Sequence, residues 1–219
     1  IMCGLEKVKK EIKDAEIVFG KKHGLTNLIA VSKTKPMEQI KKVINKGQIH
    51  FGENRVQEAL SKWEVVKRNR KDLKIHLLGP LQTNKVKKVF SLFDYIHSLD
   101  RLNLAEKLSR EAQEKGYCPK IFVQVNTGKE EQKSGVFPEN LYDFINSSQK
   151  TYELDVVGLM CIPPINEKPE KHFGLLRDLA NDNGLKELSM GMSADYKIAI
   201  KYDSTFIRIG TAIFGEREK

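Results

Sequence analysis

Two lysines, Lys33 and Lys35, stand in Ser32-Lys33-Thr34-Lys35-Pro36, directly after a short apolar run. A lysine in such a place has two uses. It can pair with a phosphate as a point charge, or, once desolvation and neighbouring cations such as Arg208 strip its proton, it can attack an aldehyde and form a Schiff base. The two lysines share strand parity, so spacing alone does not choose between them, although Lys35 precedes Pro36 and lies further out in the loop. Gly191-Met192-Ser193 and Gly210-Thr211 form a second feature. Glycine admits close backbone approach, hydroxyls donate to phosphate oxygens, and a helix opening after Ser193 would add free N–H groups. The bland alternative for these residues is an N-cap and a turn.

Arg208 shares side-chain parity with Gly210, which points it inward. A buried guanidinium keeps its proton and needs a partner, either a core carboxylate or a ligand ring nitrogen. His50, His76 and His97 each follow an isoleucine, and three histidines on adjacent strands could hold zinc. No carboxylate-plus-histidine motif accompanies them and they sit at different distances from their strand ends. Core histidines with satisfied hydrogen bonds, and no metal, are therefore the better reading. Cys161 has no base partner in sequence and reads as a buried thiol.

The elements that must position these residues alternate in type. After an opening amphipathic stretch (Leu5, Val8, Ile12, Ala15, Val18), short apolar runs alternate with helix-period segments, the pattern that builds a parallel sheet. Eight runs are visible: Leu28 to Val31, Ile49 to Phe51, Lys74 to Leu78, Tyr95 to Ser98, Ile121 to Val125, Asp155 to Met160, Glu187 to Ser189 and Phe206 to Ile209. Pro36 and Pro138 mark helix starts, and Gly47, Gly116 and Gly184 mark helix ends. Eight strands with helical crossovers predict an α/β fold, a closed (β/α)8 TIM barrel, occupying residues 1–219 as a single domain. An open doubly wound sheet is disfavoured because no GxGxxG follows the first run. The opening helix takes the place of a missing eighth helix. In such a barrel sites form at the C-terminal strand ends, commonly with a phosphate site after strands seven and eight. All the residues above except the histidines fall there, and Lys33, ending strand one, neighbours strand eight.

Composition narrows the classes further. The chain has 219 residues, 40% hydrophobic and 31% charged, with a net charge of +9. The charge makes nucleic acid worth weighing, yet the basic pairs are spread along helix-like stretches without interleaved aromatic residues, so solvated helix faces account for them. No run approaches the ~20 apolar residues of a membrane span. Three cysteines without ligand spacing argue against a disulfide framework, and a cytoplasmic monomer is the expectation.

Taken together, Ile29-Ala30-Val31-Ser32-Lys33-Thr34-Lys35-Pro36, Phe51-Gly52-Glu53-Asn54, His76-Leu77-Leu78-Gly79-Pro80-Leu81-Gln82-Thr83-Asn84-Lys85, Gly158-Leu159-Met160-Cys161-Ile162-Pro163-Pro164, Leu188-Ser189-Met190-Gly191-Met192-Ser193-Ala194-Asp195 and Arg208-Ile209-Gly210-Thr211-Ala212-Ile213-Phe214-Gly215 resemble the YggS/PROSC family of pyridoxal-phosphate homeostasis proteins. The resemblance covers nearly the whole chain. It implies the barrel of the alanine racemase N-terminal domain (PLP fold type III), with an extra N-terminal helix and no C-terminal β-domain. It further implies that pyridoxal 5′-phosphate (PLP) is held as a Schiff base on Lys33. Ser193, Gly210 and Thr211 would take the phosphate with Met192 beside it, Arg208 would face the pyridine nitrogen, and Asn54 would lie near the ring. His76 is carried over to the same mouth, as are Asn126 and Ser134 more weakly. The implied role is PLP homeostasis and delivery to PLP-dependent apo-enzymes without robust turnover. A PLP-dependent racemase and a Schiff-base aldolase acting on a phosphorylated sugar are the alternatives. Asp203 departs from the family, which has glycine there, and the departure bears on the turn before strand eight.

Overall fold

The computed structural model describes residues 3–215. Strands β1 (Asn27–Val31), β2 (His50–Glu53), β3 (Lys74–Leu77), β4 (Tyr95–Leu99), β5 (Lys120–Gln124), β6 (Val156–Met160), β7 (Glu187–Ser189) and β8 (Phe206–Ile209) pair in parallel in chain order, and β8 closes onto β1. The register Ala30↔Ile209 sets the end of β1 beside Gly210. That is the neighbourhood the closed barrel predicts for Lys33. Around the barrel run α1 (Gly4–Val18), α2 (Met37–Asn45), α3 (Val56–Asn69), α4 (Val86–Val89), α5 (Leu102–Lys115), α6 (Leu141–Asn146), α7 (Pro169–Asp182), α8 (Tyr196–Lys201) and α9 (Thr211–Phe214). The punctuation falls as expected: Pro36 immediately precedes α2, and Gly47, Gly116 and Gly184 take positive φ just beyond α2, α5 and α7.

Strand alternation splits the apolar residues into two populations. Outward-facing Ile75, Leu77, Ile96, Leu99 and Val123 are fully buried under the helices, each contributing about 1.5–3 kcal/mol by leaving water. Inward-facing Ile29, Phe122, Met160 and Phe206 form a smaller cluster within the barrel. Buried polar residues, among them His76, His97, Ser189 and Arg208, share the barrel interior with that cluster.

Leu5, Val8, Ile12 and Ala15 bury one face of α1, which packs on α8 and α9. Val18 departs from the expected stripe and is 76% exposed, because the chain turns away after it. Asp203 adopts φ 69°, the left-handed conformation glycine takes most readily, and pairs with Lys21 at 2.7 Å. The turn is therefore kept, and the departure stays local. No described helix is long and apolar enough to cross a membrane.

Candidate functional site

The loop after β1 is pinned from beneath. Ser32 is buried; its N–H donates to Gly52 O at 3.0 Å and its hydroxyl to Glu53 Oε1 at 2.7 Å. From α3, Lys62 Nζ donates to Ser32 O at 2.7 Å, and Glu58 Oε1 accepts from the Thr34 N–H at 2.5 Å. Burial pushes the Glu58 carboxyl up, but that N–H together with Lys62 outweighs it and holds the group below its ordinary value. Thr34 sits at φ 63°, outside the comfortable range of a β-branched residue, so the chain reverses between the two lysines. Lys35 is turned to Gly215 O at 3.1 Å. Lys33 enters a cavity of about 490 Å³ at the C-terminal strand ends, where its ammonium has no hydrogen bond or ion pair to a described residue. Lys33, and not Lys35, therefore stands among the residues lining this cavity.

Opposite lies the pair of loops after β7 and β8. Thr211 Oγ1 donates to Ser193 Oγ at 3.3 Å, bringing two hydroxyls together on one wall. The Met192 N–H is taken by Asp195 Oδ1 at 2.8 Å, whereas the N–H groups of Ser193 and Ala194 donate to no described residue. The helix expected directly after Ser193 begins only at Tyr196 and has six residues, because the segment first makes a loop closed by Asp195. Hydroxyls and loop N–H groups, rather than a helix end, supply the donors.

Gly191 is what lets this loop lie flat. At φ 101° an added Cβ would also come within 2.6 Å of Ala199 Cβ and 3.0 Å of Tyr196 Cα. Gly191→Ala should therefore destabilise the fold by about 2–4 kcal/mol through backbone strain and overpacking together. A urea midpoint unchanged from that of the unsubstituted chain would contradict this packing.

Arg208 is inward and 5% exposed. Its Nη1 donates to Ser189 O at 2.9 Å and Ser189 Oγ at 2.7 Å, and its Nη2 donates to Cys161 O at 3.0 Å. Burial pushes the guanidinium down from its ordinary value, and among the described residues no carboxylate pairs with it. Three of its five donors are thus engaged, and Arg208 lines the cavity. Asn54 joins the same wall from the end of β2. Gly79 presses against it so closely that a Cβ there would lie 2.3 Å from Asn54 O.

Lys33, Asn54, Met192, Ser193, Arg208, Gly210 and Thr211 thus line one cavity, with Val31, Leu78, Met160, Ile162 and Ala194. His76 does not. It is fully buried deep in the barrel, because the strand stagger sets it below the mouth. Asn126 spends its amide within its own loop, on Glu130 and Lys133, and Ser134 is exposed. The Cys161 thiol is enclosed and pushed up to about 12 by burial, leaving its carbonyl as its contribution to the site. Glu53, Glu58, Lys62 and Trp63 were not legible as site supports. The Glu58–Lys62 spacing reads as an ordinary helix-surface pair.

The three histidines form a line. His50 Nδ1 meets His76 Nε2 at 2.8 Å, His76 Nδ1 meets His97 Nε2 at 2.9 Å, and His97 Nδ1 meets Ser189 Oγ at 2.8 Å. His76 stacks on Tyr95 at 4.1 Å between centroids, and His97 stacks on Phe122 at 4.4 Å. No group of three or more His, Cys, Asp or Glu among the described residues is arranged to hold a metal. Burial first, then the neighbouring histidines for His76 and Arg208 for His97, hold both rings well below the usual histidine range.

Unfolded histidines take a proton below about pH 6.5 while these two stay neutral, so the unfolded chain binds more protons and stability falls with falling pH. From pH 7.5 to 5.5 the unfolding free energy should drop by roughly 2.5 kcal/mol from this pair, and by about half of that in His76→Phe. Equal drops in both proteins, measured by urea titration, would contradict the assignment.

Residues 15–218 match the model of the alanine racemase N-terminal domain. The pyridoxal phosphate homeostasis protein of Aquifex aeolicus is 41% identical over 223 residues, covering 98% of this chain and 95% of that one. PipY of Synechococcus elongatus, solved with PLP bound, is 37% identical with a TM-score of 0.79, covering 93% of this chain and 100% of its own. An alanine racemase of Clostridium difficile, 16% identical with a TM-score of 0.69, shares the fold over 96% of this chain and 56% of its own.

Proposed function

The chain belongs to the family of pyridoxal phosphate homeostasis proteins, on the alanine racemase N-terminal domain fold, and from that membership we propose that its C-terminal-end cavity binds PLP with Lys33 as the anchoring amine. One observation carries the reading: a lysine without a described partner, a buried arginine with donors to spare, and two loop hydroxyls line the same 490 Å³ space. These are the partners that an aldehyde, a ring nitrogen and a phosphate require. When bound, PLP supplies a carbonyl that a lysine amine can join with loss of water.

Lys33 supplies the amine from a loop held rigid by Glu53, Glu58 and Lys62. Ser193 and Thr211, with the open N–H groups of Ser193 and Ala194, offer the phosphate its donors, and Gly210 leaves them room. Arg208 offers its remaining donors to the ring nitrogen. Because a guanidinium keeps its proton, it leaves that nitrogen unprotonated and withholds the electron sink that carbanion chemistry needs. Asn54 and Met192 complete the walls beside the ring.

Binding without robust turnover is the role that fits. Lys33 and Arg208 are the ionisable side chains among the described residues lining the cavity, so no second acid–base group faces Lys33 across it. Holding PLP and releasing it to PLP-dependent apo-enzymes uses what is present. Equilibrium dialysis with PLP, followed by incubation of the loaded protein with L-alanine, tests this. One PLP per chain with alanine left in its L form is expected. Racemisation abolished by Lys33→Ala would make the protein a racemase, and failure to retain PLP would overturn the reading.

A further inference from the structure

The histidine line joins two cavities. Its upper end reaches Arg208 through Ser189, and its lower end, His50, opens into a second cavity of about 510 Å³ at the N-terminal strand ends, beside Asn27, Tyr95, Lys120, Glu187 and Phe206. The hydrogen bonds of the line run in one direction. Arg208 can only donate, so Ser189 Oγ accepts from it. The single hydroxyl hydrogen of Ser189 then has His97 Nδ1 as its acceptor among the described residues. A neutral imidazole offers one donor and one acceptor, so His97 carries its proton on Nε2 and gives it to His76 Nδ1. His76 in turn donates from Nε2 to His50 Nδ1, and His50 presents its Nε2–H to the lower cavity. Every buried polar atom of the line is satisfied in this direction. The opposite direction strands the Ser189 hydroxyl hydrogen.

We infer that Ser189, His97, His76 and His50 are a one-way hydrogen-bonded relay that positions the Arg208 guanidinium against the upper cavity and makes that positioning answer to whether His50 holds one proton or two. His50 can take a second proton only at Nδ1, the atom already occupied by the His76 N–H. To stay bonded to His76 it must therefore reverse the line, and reversal sets the His97 Nδ1–H against Ser189 Oγ and so reaches Arg208. Titration of His50 is set by the groups around it: His76 and Lys74 from β3, Asp94 and Tyr95 at the start of β4, Lys120 from β5, and Lys186 and Glu187 at β7. Asn27 from β1 and Phe206 from β8 bring no titratable group. Ser189 and the histidines are positioning residues, since none of them lines the upper cavity. Linkage works both ways, so a ligand that engages Arg208 also makes His50 harder to protonate.

The relay is tested without any ligand, and rests on the PLP reading only for a supplementary optical signal. Nitrogen NMR of the uniformly labelled full chain at neutral pH should show protonated Nε2 and bare Nδ1 in His50, His76 and His97. Bare Nε2, or two protons, on His76 or His97 would overturn it. As the pH is lowered, the Arg208 guanidinium resonances should shift with the midpoint of His50, and that shift should vanish in His50→Phe. Arg208 resonances that stay still while His50 titrates would also overturn it, and should His50→Phe fail to fold, the tautomers of the unsubstituted protein decide alone. In the PLP-loaded protein the visible band should follow the same midpoint. Absence of a band with the NMR behaviour intact would count against PLP binding and leave the relay standing.

Discussion

Glu53→Ala should lower the unfolding free energy by about 3–5 kcal/mol, the loss expected when one partner of a buried charged network is removed. Glu53 is fully buried, and a single oxygen, Oε1, accepts from Ser32 Oγ, Trp63 Nε1 at 2.9 Å and Lys62 Nζ at 2.7 Å. Alanine leaves the indole N–H without an acceptor in the interior, leaves the serine hydroxyl only the long bond to Gly52 O at 3.4 Å, and leaves Lys62, whose side chain is only 13% exposed, with Glu58 as its remaining carboxylate. Glu53→Gln keeps the shape and an acceptor oxygen, and should cost about 1–3 kcal/mol. Urea unfolding of the two variants checks the order. Equal and small losses would mean that the network under the lysine loop is dispensable.

Lys33→Ala should abolish the visible absorption that PLP gives on binding, completely rather than partially, because only an amine at that place can make the link. Lys35→Ala should keep the band. Lys35 follows the reversal at Thr34 and is turned to Gly215 O, away from the wall that Lys33 shares with Arg208. A band that survives Lys33→Ala and disappears with Lys35→Ala would exchange the two roles and refute the geometry of the loop. Residual binding in Lys33→Ala as the unlinked aldehyde, without the band of the lysine adduct, fits the account, since the phosphate donors on Ser193 and Thr211 remain.

Much of this architecture was legible because apolar runs and strand ends obey simple periodicities. Glu187 to Ser189 and Phe206 to Ile209 are strands to the residue, and the other six runs shift by one or two positions at an end: polar Asn27, Glu53 and Lys120 join their strands, Leu99 extends β4, and Leu78 and Asp155 fall outside β3 and β6. Residues at strand ends came together in one cavity for the same reason. Depth inside the barrel was not legible. His76 stands near the end of its strand in sequence, but the stagger of β3 against β4 sinks it below the mouth, between His50 and His97. Nor were supports reaching in from helices. Glu58 and Lys62 hold the lysine loop from α3, and no local pattern separates them from a solvated pair. Strand parity likewise leaves open which of Lys33 and Lys35 enters the cavity, because the positive φ of Thr34 between them has no sequence signal in threonine.

We propose Lys33 as the PLP anchor of this barrel. Borohydride reduction of the PLP-loaded protein, followed by peptide mapping of the reduced adduct, tests it most directly. The account predicts one pyridoxyl group per chain, on Lys33, with loss of the visible band on reduction. A label on Lys35, or one spread over surface lysines, would contradict it.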